Sequence, residues 1–204
     1  MTERSVSHGE RMAARGGARA KGTDGSDFGH RETVASHYQI SSTNKKRLKV
    51  CMFFHTLAFL FILAKSSAEI LKFFDISLKA LIKIDIPFPK PALWEYVWLT
   101  SIVFTFAAYL AFRRNNILAM QVYVGSTFVT GICPLVTAII YHSGDLKVFL
   151  AQKIDENVEK FYGIPVVLIL SVFVSVTFLV HSLSMMFGMN LIRAWTPKKG
   201  KKKA

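Results

Sequence analysis

A few polar and ionisable side chains interrupt the long apolar runs of this sequence, and these are the groups that could carry intramembrane chemistry. Imidazoles at such positions can relay protons or bind metal ions. Here two histidines lie on separate runs, with no carboxylate deep in any run and no His-Glu-x-x-His pattern, which makes a poor catalytic set. We therefore predict structural, hydrogen-bonding histidines, no enzymatic activity, and neither metal nor cofactor. The residues considered are His55, Glu95, Gln121, Thr127, Thr130 and His181.

The remaining chemistry-bearing residues in the apolar runs favour packing roles. Glu95 is predicted to lie at the edge of a run among tryptophans, where it can meet a lysine. Cys51 and Cys133 both fall inside apolar runs and are predicted to be small core residues, since two such cysteines offer no disulfide or metal framework. Pro134, in a run with two glycines, either kinks its helix or breaks it around a substrate site.

The elements that must position these residues are four apolar runs of membrane-spanning length. The run from Ile117 to Tyr141 has 25 uncharged residues, about 37 Å as a helix, and the hydrocarbon core is about 30 Å thick. The first run is the shortest and is predicted to continue past Lys65, whose long side chain would snorkel to the surface. The fold class is therefore an all-α membrane protein with four transmembrane helices in an antiparallel bundle. The predicted spans are residues 50–71, 94–112, 117–141 and 161–183.

The distribution of basic residues predicts how these spans are oriented. The net charge is +13, but lysines and arginines concentrate at the span edges and in the tails, so nucleic acid is not the expected partner. The two tails and the short turn together hold 18 basic residues, and the two remaining stretches, 65–93 and 142–160, hold 8. By the positive-inside rule both termini are cytosolic. The cytosolic segments are then 1–49, 113–116 and 184–204, and the lumenal segments are 72–93 and 142–160.

The C-terminal sequence has the form of a retrieval signal. Lys201 and Lys202 stand fourth and third from the carboxyl end, as in a dilysine signal read by the coat of vesicles returning from the Golgi. That interpretation makes the chain a resident of the endoplasmic reticulum membrane, with the retrograde vesicle coat as a partner. No cleavable signal peptide is predicted, because the first apolar run follows a long polar segment.

The N-terminal tail carries two further candidate sites. Residues 1–30 are rich in glycine and poor in apolar side chains, so they are predicted to be disordered. Their last third is either a cytosolic docking motif or a cap for a helix that begins near Phe28. A basic cluster before the first span either attracts anionic lipid or only sets topology. The docking candidates are Thr23, Asp24, Ser26, Asp27, Phe28, His30 and Arg31, and the basic cluster is Lys45, Lys46, Arg47 and Lys49.

The first lumenal loop is predicted to contain an amphipathic helix. Charged residues recur from Glu69 to Lys83 at helical spacing and leave apolar residues on other faces. Three prolines between Pro87 and Pro91 then give an extended linker. The helix lies either in the lumenal leaflet, where it could influence curvature, or as a lid over the bundle.

Several short motifs of this sequence are specific when they occur together. They are Gly22 to Phe28, His30-Arg31-Glu32, His37-Tyr38-Gln39, Trp94-Glu95-Tyr96 and Arg114-Asn115-Asn116-Ile117. With these motifs the chain resembles, from Met12 onward, the jagunal family of four-span endoplasmic reticulum proteins. The resemblance implies a role in organising the reticulum and in vesicle traffic of the early secretory pathway, with other secretory-pathway proteins as partners and no catalysis. The 65–93 loop is longer than in that family.

Three classes of function compete on this sequence. An organising or trafficking protein of the reticulum is favoured by the tail and by the resemblance. A small-solute channel or carrier is the alternative, and it requires polar residues from several spans on one shared face. A membrane enzyme is the least favoured, because no nucleophile, acid pair or metal cluster converges. Oligomeric state and cargo are left open.

Overall fold

The computed structural model describes residues 26–76, 88–151 and 159–196, with the backbone alone for residues 26–30 and 33. Nearly all of this is helical. The helices are α1 (Ser26–Lys72), α2 (Leu93–Leu99), α3 (Ser101–Arg114), α4 (Ile117–Ser126), a π-helical segment (Thr127–Ile132), α5 (Cys133–Tyr141), α6 (Ser143–Leu150) and α7 (Val166–Trp195). Two short strands, β1 (Lys160–Phe161) and β2 (Ile164–Pro165), pair antiparallel.

Four helical stretches of the described chain are long and apolar enough to cross a membrane. The first span is Val34–Lys72, the second Leu93–Arg114, the third Ile117–Tyr141 and the fourth Val166–Trp195. The prediction of an all-α membrane protein with four spans is confirmed, and the third span has the predicted bounds. The antiparallel order of the spans stays a prediction.

The first helix begins earlier than the composition suggests. Residues 26–30, predicted to be disordered, are its first turns. Adding a turn to an existing helix avoids the cost of nucleation, and acidic residues such as Asp27 favour a helix N-terminus. The chain consists of two compact units, Met1–Gln39 and Ile40–Ala204. The contacts between spans that are described below all lie in the second unit. In the first unit the described residues are helical.

The turn between the second and third spans is shorter than predicted. The second span continues to Arg114, so only Asn115 and Asn116 connect it to the third. Asn115 adopts the left-handed conformation with φ 50°, which asparagine tolerates better than most residues. The Asn116 side chain then accepts a hydrogen bond from the Ala119 backbone N–H at 3.1 Å and caps the third span.

The fourth span starts later and ends later than predicted. Residues 161–165 are not helical, because a hairpin with Tyr162 and Gly163 at its tip occupies them. Both tip residues have positive φ, 49° and 81°, as a two-residue type I′ turn requires. At the other end the helix continues through the segment assigned to the tail and stops at Trp195.

The loop between the first and second spans, predicted to be lumenal, does not contain one helix from Glu69 to Lys83. The helix ends at Lys72, and Asp75 with φ 57° closes it in a Schellman-type cap, in which the Ile76 N–H donates to the Leu71 carbonyl at 3.0 Å. Phe73 and Phe74 are exposed beside this cap. The rest of the predicted helix and the first prolines, residues 77–87, lie outside the described residues.

A π-helical segment interrupts the third span around its glycine and proline. It runs from Thr127 to Ile132, directly before Pro134, and the helix continues beyond it. Proline has no N–H to donate to the preceding turn, and an expanded turn accommodates the missing hydrogen bond without breaking the span. The third span is therefore continuous through Pro134, with a π-helical expansion before the proline and no break in the helix.

Two clusters of buried apolar side chains form the interior of the spans. The first surrounds Leu48, Met120, Tyr123 and Leu191, and the second surrounds Ile62, Trp98, Leu135 and Leu170. Cys51 is buried in the first cluster, as predicted. Cys133 is exposed, so its prediction as a core residue was wrong: an apolar run that faces lipid offers outward positions as readily as inward ones.

Candidate functional site: buried polar groups between the spans

His55 of the first span has both ring nitrogens in hydrogen bonds to the second span. Its Nε2 lies 2.9 Å from the Ser101 hydroxyl and its Nδ1 lies 3.2 Å from the Thr105 hydroxyl. Ser101 and Thr105 are four residues apart, so they face one side of their helix. A neutral imidazole donates through one nitrogen and accepts through the other, and hydroxyls can serve either role.

His181 of the fourth span joins the same layer. The Trp98 indole N–H donates to His181 Nε2 at 3.0 Å. The rings of His55 and His181 meet edge to face, 4.7 Å between centroids. Both histidines are almost wholly buried, with 3% and 1% of their surface exposed. We call His55, Trp98, Ser101, Thr105 and His181 the histidine layer.

The third span completes the layer through a residue with no side chain. A Cβ placed on Gly131 would lie 3.2 Å from three atoms of the His181 ring, which is tighter than ordinary contact. The π-helical segment carries Gly131 against the imidazole. All four spans therefore meet in this layer, and glycine lets the backbone approach the ring without displacing it.

A second polar set lies beside the histidine layer, on the side of the Asn115–Asn116 turn. Ser184 hydrogen bonds with Cys51 and Tyr123, and Tyr123 hydrogen bonds with Thr127. Thr127 in turn donates to the Tyr123 carbonyl at 2.8 Å. Polar groups on three spans thus satisfy one another within the core.

These contacts confirm that the two histidines are hydrogen-bonded within the interior. Among the described residues no group of three or more His, Cys, Asp or Glu side chains could hold a metal ion. The layer presents hydroxyls and an indole to the imidazoles, which is the chemistry of a satisfied network.

Lys65 and Glu95 form a buried ion pair between the first and second spans. The Lys65 ammonium lies 2.6 Å and 2.8 Å from the two carboxylate oxygens, and the side chains are 8% and 1% exposed. Glu95 also accepts a hydrogen bond from the Ala92 N–H at 3.2 Å. The prediction that Glu95 meets a lysine is confirmed. The prediction that Lys65 snorkels was wrong. Its ammonium stays buried because the Glu95 carboxylate lies beside it and balances its charge.

Three buried polar atoms near this pair have no partner among the described residues: Ser66 Oγ, Trp94 Nε1 and His142 Nε2. The Trp94 and His142 rings meet at 6.2 Å between centroids. His142 follows the third span, and its burial lowers the pKa of the imidazole, with Asp145 opposing that shift. We call Lys65, Ser66, Trp94, Glu95 and His142 the ion-pair cluster.

The basic cluster before the first span makes contacts that its sequence does not reveal. The Lys45 ammonium donates to the Phe112 carbonyl at 3.1 Å and to Asn115 Oδ1 at 2.6 Å. It also lies 5.3 Å from the centre of the Trp195 ring, and the Trp195 indole N–H donates to Ser41 Oγ at 2.9 Å. These residues tie the first span to the turn and to the end of the fourth span. We call Ser41, Lys45, Phe112, Asn115 and Trp195 the turn cluster.

Two other members of the basic cluster also contact aromatic rings. Arg47 lies over the Phe187 ring and Lys49 over the Phe112 ring, at 5.7 Å and 5.9 Å. Lys46 is exposed. Part of the predicted membrane-surface cluster therefore packs on aromatic rings of neighbouring spans.

The remaining predicted site residues are not brought together by the described structure. Lys201, Lys202, Thr23 and Asp24 lie outside the described residues. The backbone of Ser26, Asp27, Phe28 and His30 is helical, and Arg31 is exposed on the same helix. A helix that begins near Phe28 is confirmed, and the docking role stays a prediction.

Comparison with known proteins places the chain among relatives of similar length. A family model described as "Jagunal, ER re-organisation during oogenesis" matches residues 12–199. Protein jagunal of Drosophila melanogaster is 37% identical over 199 residues, covering 94% of this chain and 99% of that protein. Protein jagunal homolog of Caenorhabditis elegans is 34% identical, covering 92% and 99%. Protein jagunal homolog 1 of Homo sapiens is 33% identical, covering 94% and 99%.

Proposed function

The chain belongs to the jagunal family, and from that premise we propose that it organises the endoplasmic reticulum and supports vesicle-mediated transport in the early secretory pathway. The observation that carries the proposal is a match over almost the whole chain to a family described by reorganisation of this organelle. Four apolar helices fit a multi-pass protein of its membrane. The proposal includes no catalytic step.

Residence in the reticulum would follow from retrieval of the chain through Lys201 and Lys202. An even number of spans puts both termini on one side of the membrane, and the basic residues favour the cytosol for that side. The turn cluster holds Trp195 against the first span, so the tail leaves the core at a defined point. Five residues lie between Trp195 and Lys201, so Lys201 is at most about 22 Å of extended chain from Trp195. A coat subunit would read the two ammonium groups at that distance.

The first prediction separates a spaced signal from general basicity. Replacing Lys201 and Lys202 with serine should release the protein toward the Golgi and the cell surface, because the coat needs charge at fixed distances from the terminal carboxylate. The matched change, Lys198→Ser with Lys199→Ser, removes the same charge and should have much less effect. Steady-state imaging measures location. The substitution Glu159→Thr creates an Asn-x-Thr sequon at Asn157, and Golgi-type sugars on that asparagine would report passage.

A third form, with several residues appended after Ala204, keeps every lysine and should mimic the first change. A tail held only by anionic lipid, at about 1 kcal/mol per lysine, would respond to the number of charges and ignore the extension. Equal retention of all forms would exclude coat-dependent retrieval.

We assign partners on the cytosolic side to the N-terminal segment. Residues 23–31 would dock another secretory-pathway protein, and the exposed part of the basic cluster would contact anionic lipid. Proximity labelling from the N-terminus, in the natural chain and in Ser26→Ala with Asp27→Ala, should recover secretory-pathway proteins from the first and fewer from the second. If both proteins recover the same partners, Ser26 and Asp27 only begin the helix and the docking proposal is wrong.

A small-solute channel or carrier is the second candidate, favoured by one observation. Polar groups from the first, second and fourth spans do meet in one place, the histidine layer, and the third span contributes Gly131 to it. Against this candidate, those groups form hydrogen bonds with each other. Three cavities in the described part of the chain include neither His55 nor His181 in their walls. Solute uptake into proteoliposomes that is lost in His55→Leu would favour this candidate.

A further inference from the structure

His142 connects the third span to α6. Its N–H donates to the Ala138 carbonyl at 2.9 Å, and its carbonyl accepts from the Leu146 N–H at 3.0 Å. With φ −91° and ψ 5°, the residue ends one helix and starts the next. None of the eight residues of α6 is buried, and the helix contacts the fourth span. A change in the position of the His142 side chain therefore acts on the direction of a weakly held helix.

The His142 imidazole lies in surroundings that suit its neutral form. Its ring meets the Trp94 and Tyr141 rings edge to face, at 6.2 Å and 4.9 Å between centroids. Its Nε2 is buried without a hydrogen-bond partner in the part of the chain that the structure describes, as are Trp94 Nε1 and Ser66 Oγ. A neutral ring with its proton on Nδ1 leaves only a lone pair unmatched there. A protonated ring would bury an N–H and a charge without an acceptor, which costs far more.

The charged groups around His142 come from three elements. Asp145 of α6 and Glu95 of the second span favour the protonated ring, and Lys65 of the first span opposes it. The part of the fourth span that shares a cavity wall with His142, residues 170–178, carries no titratable side chain. Lys65 and Glu95 already neutralise each other. Asp145 is therefore the carboxylate available to a charged imidazole.

Burial makes the position of the ring depend on pH. It lowers the pKa of His142 below the ordinary value of about 6.5, Asp145 and Glu95 oppose that shift, and Lys65 adds to it. The buried arrangement thus binds fewer protons than an exposed one. Its stability is complete above about pH 6.5 and is lost as the pH falls from there toward the lowered pKa.

The structure offers the charged ring a second position. A cavity of about 450 Å³ between the third and fourth spans has His142 and Leu146 in its wall. The Asp145 carboxylate is 70% exposed and already lies 3.8 Å from His142 Nδ1. An imidazolium that turns away from Trp94 can pair with this carboxylate at the surface, where water satisfies its other N–H.

We propose that His142 is a pH-sensitive hinge between the third span and α6. In the neutral form the ring stays against Trp94 and α6 stays on the fourth span. In the protonated form the ring pairs with Asp145 at the surface, α6 moves, and the rest of the ion-pair cluster opens to water. The hinge goes beyond the proposed function and meets it at one point. On the predicted topology His142 faces the lumen, so a chain that cycles to the more acidic Golgi would change shape there.

The test is hydrogen–deuterium exchange of the full chain in phosphatidylcholine nanodiscs, with rates corrected for the pH dependence of exchange in an unstructured chain. Below about pH 6.5 the amides of α6 should lose protection, by up to about tenfold for each unit by which burial lowers the pKa of His142. The amides of α4, in the same protein, should keep theirs. Constant protection of α6 would overturn the proposal, and equal loss in α4 would mean unfolding of the bundle and overturn it as well.

Two histidine variants assign the effect to one group. His142→Phe keeps an aromatic ring against Trp94 but cannot be charged, so α6 should stay protected over the whole pH range. His37→Phe is the matched control, because it removes an imidazole from the first helix and should leave the loss of protection in place. A loss that persists in His142→Phe belongs to another group and would overturn the proposal.

The carboxylate gives a second check. Asp145→Asn removes the partner of the charged ring, so the loss of protection should move to lower pH and not disappear. Disappearance would assign the effect to Asp145 itself and overturn the hinge. The onset in the natural chain decides even if His142→Phe fails to fold, since an onset below about pH 5 belongs to carboxylates and contradicts the proposal. Either failure leaves the retrieval proposal intact, because the tail variants test that separately.

Discussion

The histidine layer and the ion-pair cluster both place polar side chains between the first and second spans, but they satisfy them in different ways. In the histidine layer neutral imidazoles meet hydroxyls and an indole, and both nitrogens of His55 have partners. In the ion-pair cluster two opposite charges depend on each other, and three neighbouring polar atoms have no partner among the described residues. A neutral network survives the loss of one bond at modest cost, whereas a buried charge cannot lose its only counter-ion cheaply.

Removing one partner of the ion pair should produce the largest effect. Glu95→Gln leaves the Lys65 ammonium buried and unpaired, so the free energy of unfolding should fall by about 3–5 kcal/mol. Thermal unfolding in detergent, followed by loss of monodisperse protein, measures it. The double change Lys65→Met with Glu95→Gln should recover most of the loss. Equal losses in the single and double variants would show that the charge of Lys65 is already solvated from outside.

Crowding the histidine layer should have an intermediate effect. Gly131→Val would push a side chain into the His181 ring, from which a Cβ is already only 3.2 Å away, at a cost of about 1–3 kcal/mol. Gly125→Val is the matched control, because a Cβ at Gly125 meets nothing within 4 Å. The same unfolding measurement compares them. If both glycines tolerate valine equally, the third span does not pack against His181.

Removing one neutral hydrogen bond of the layer should have the smallest effect. Trp98→Phe and His181→Phe each break the indole to imidazole bond, and a double-mutant cycle should give a coupling of about 0.6 kcal/mol, the average for hydrogen bonds between membrane helices. A coupling as large as that of Lys65 with Glu95 would erase the distinction between the two regions.

The four spans could be predicted because the length of a run without charged residues can be read directly from the sequence. The third span could be bounded to the residue, since charged or turn-forming residues flank it on both sides. The fourth could not, because its apolar run includes Phe161 to Pro165, and only the positive φ of Tyr162 and Gly163 separates a hairpin from the helix. Likewise, the low apolar content near Ser26 did not predict a helix there, because these residues extend the first span's helix and do not form a separate one.

The buried polar contacts were only partly predictable for a related reason. His55 and His181 could be recognised as polar residues in apolar runs, and Glu95 as a partner for some lysine. Which lysine, and whether the histidines meet, depends on the rotation of each helix about its axis. The spacing of Ser101 and Thr105, four residues apart, was the available signal that one face of the second span is polar. Trp98 gave no such signal.

The retrieval mechanism depends on which side of the membrane the tails face, so the decisive measurement is glycosylation mapping. Two single substitutions create sequons: Asp24→Asn before the first span, and Glu159→Thr in the loop between the third and fourth. With both termini cytosolic, the Glu159→Thr protein should be glycosylated in the reticulum and the Asp24→Asn protein should not. Glycosylation of the Asp24→Asn protein alone would place both tails in the lumen and contradict this topology.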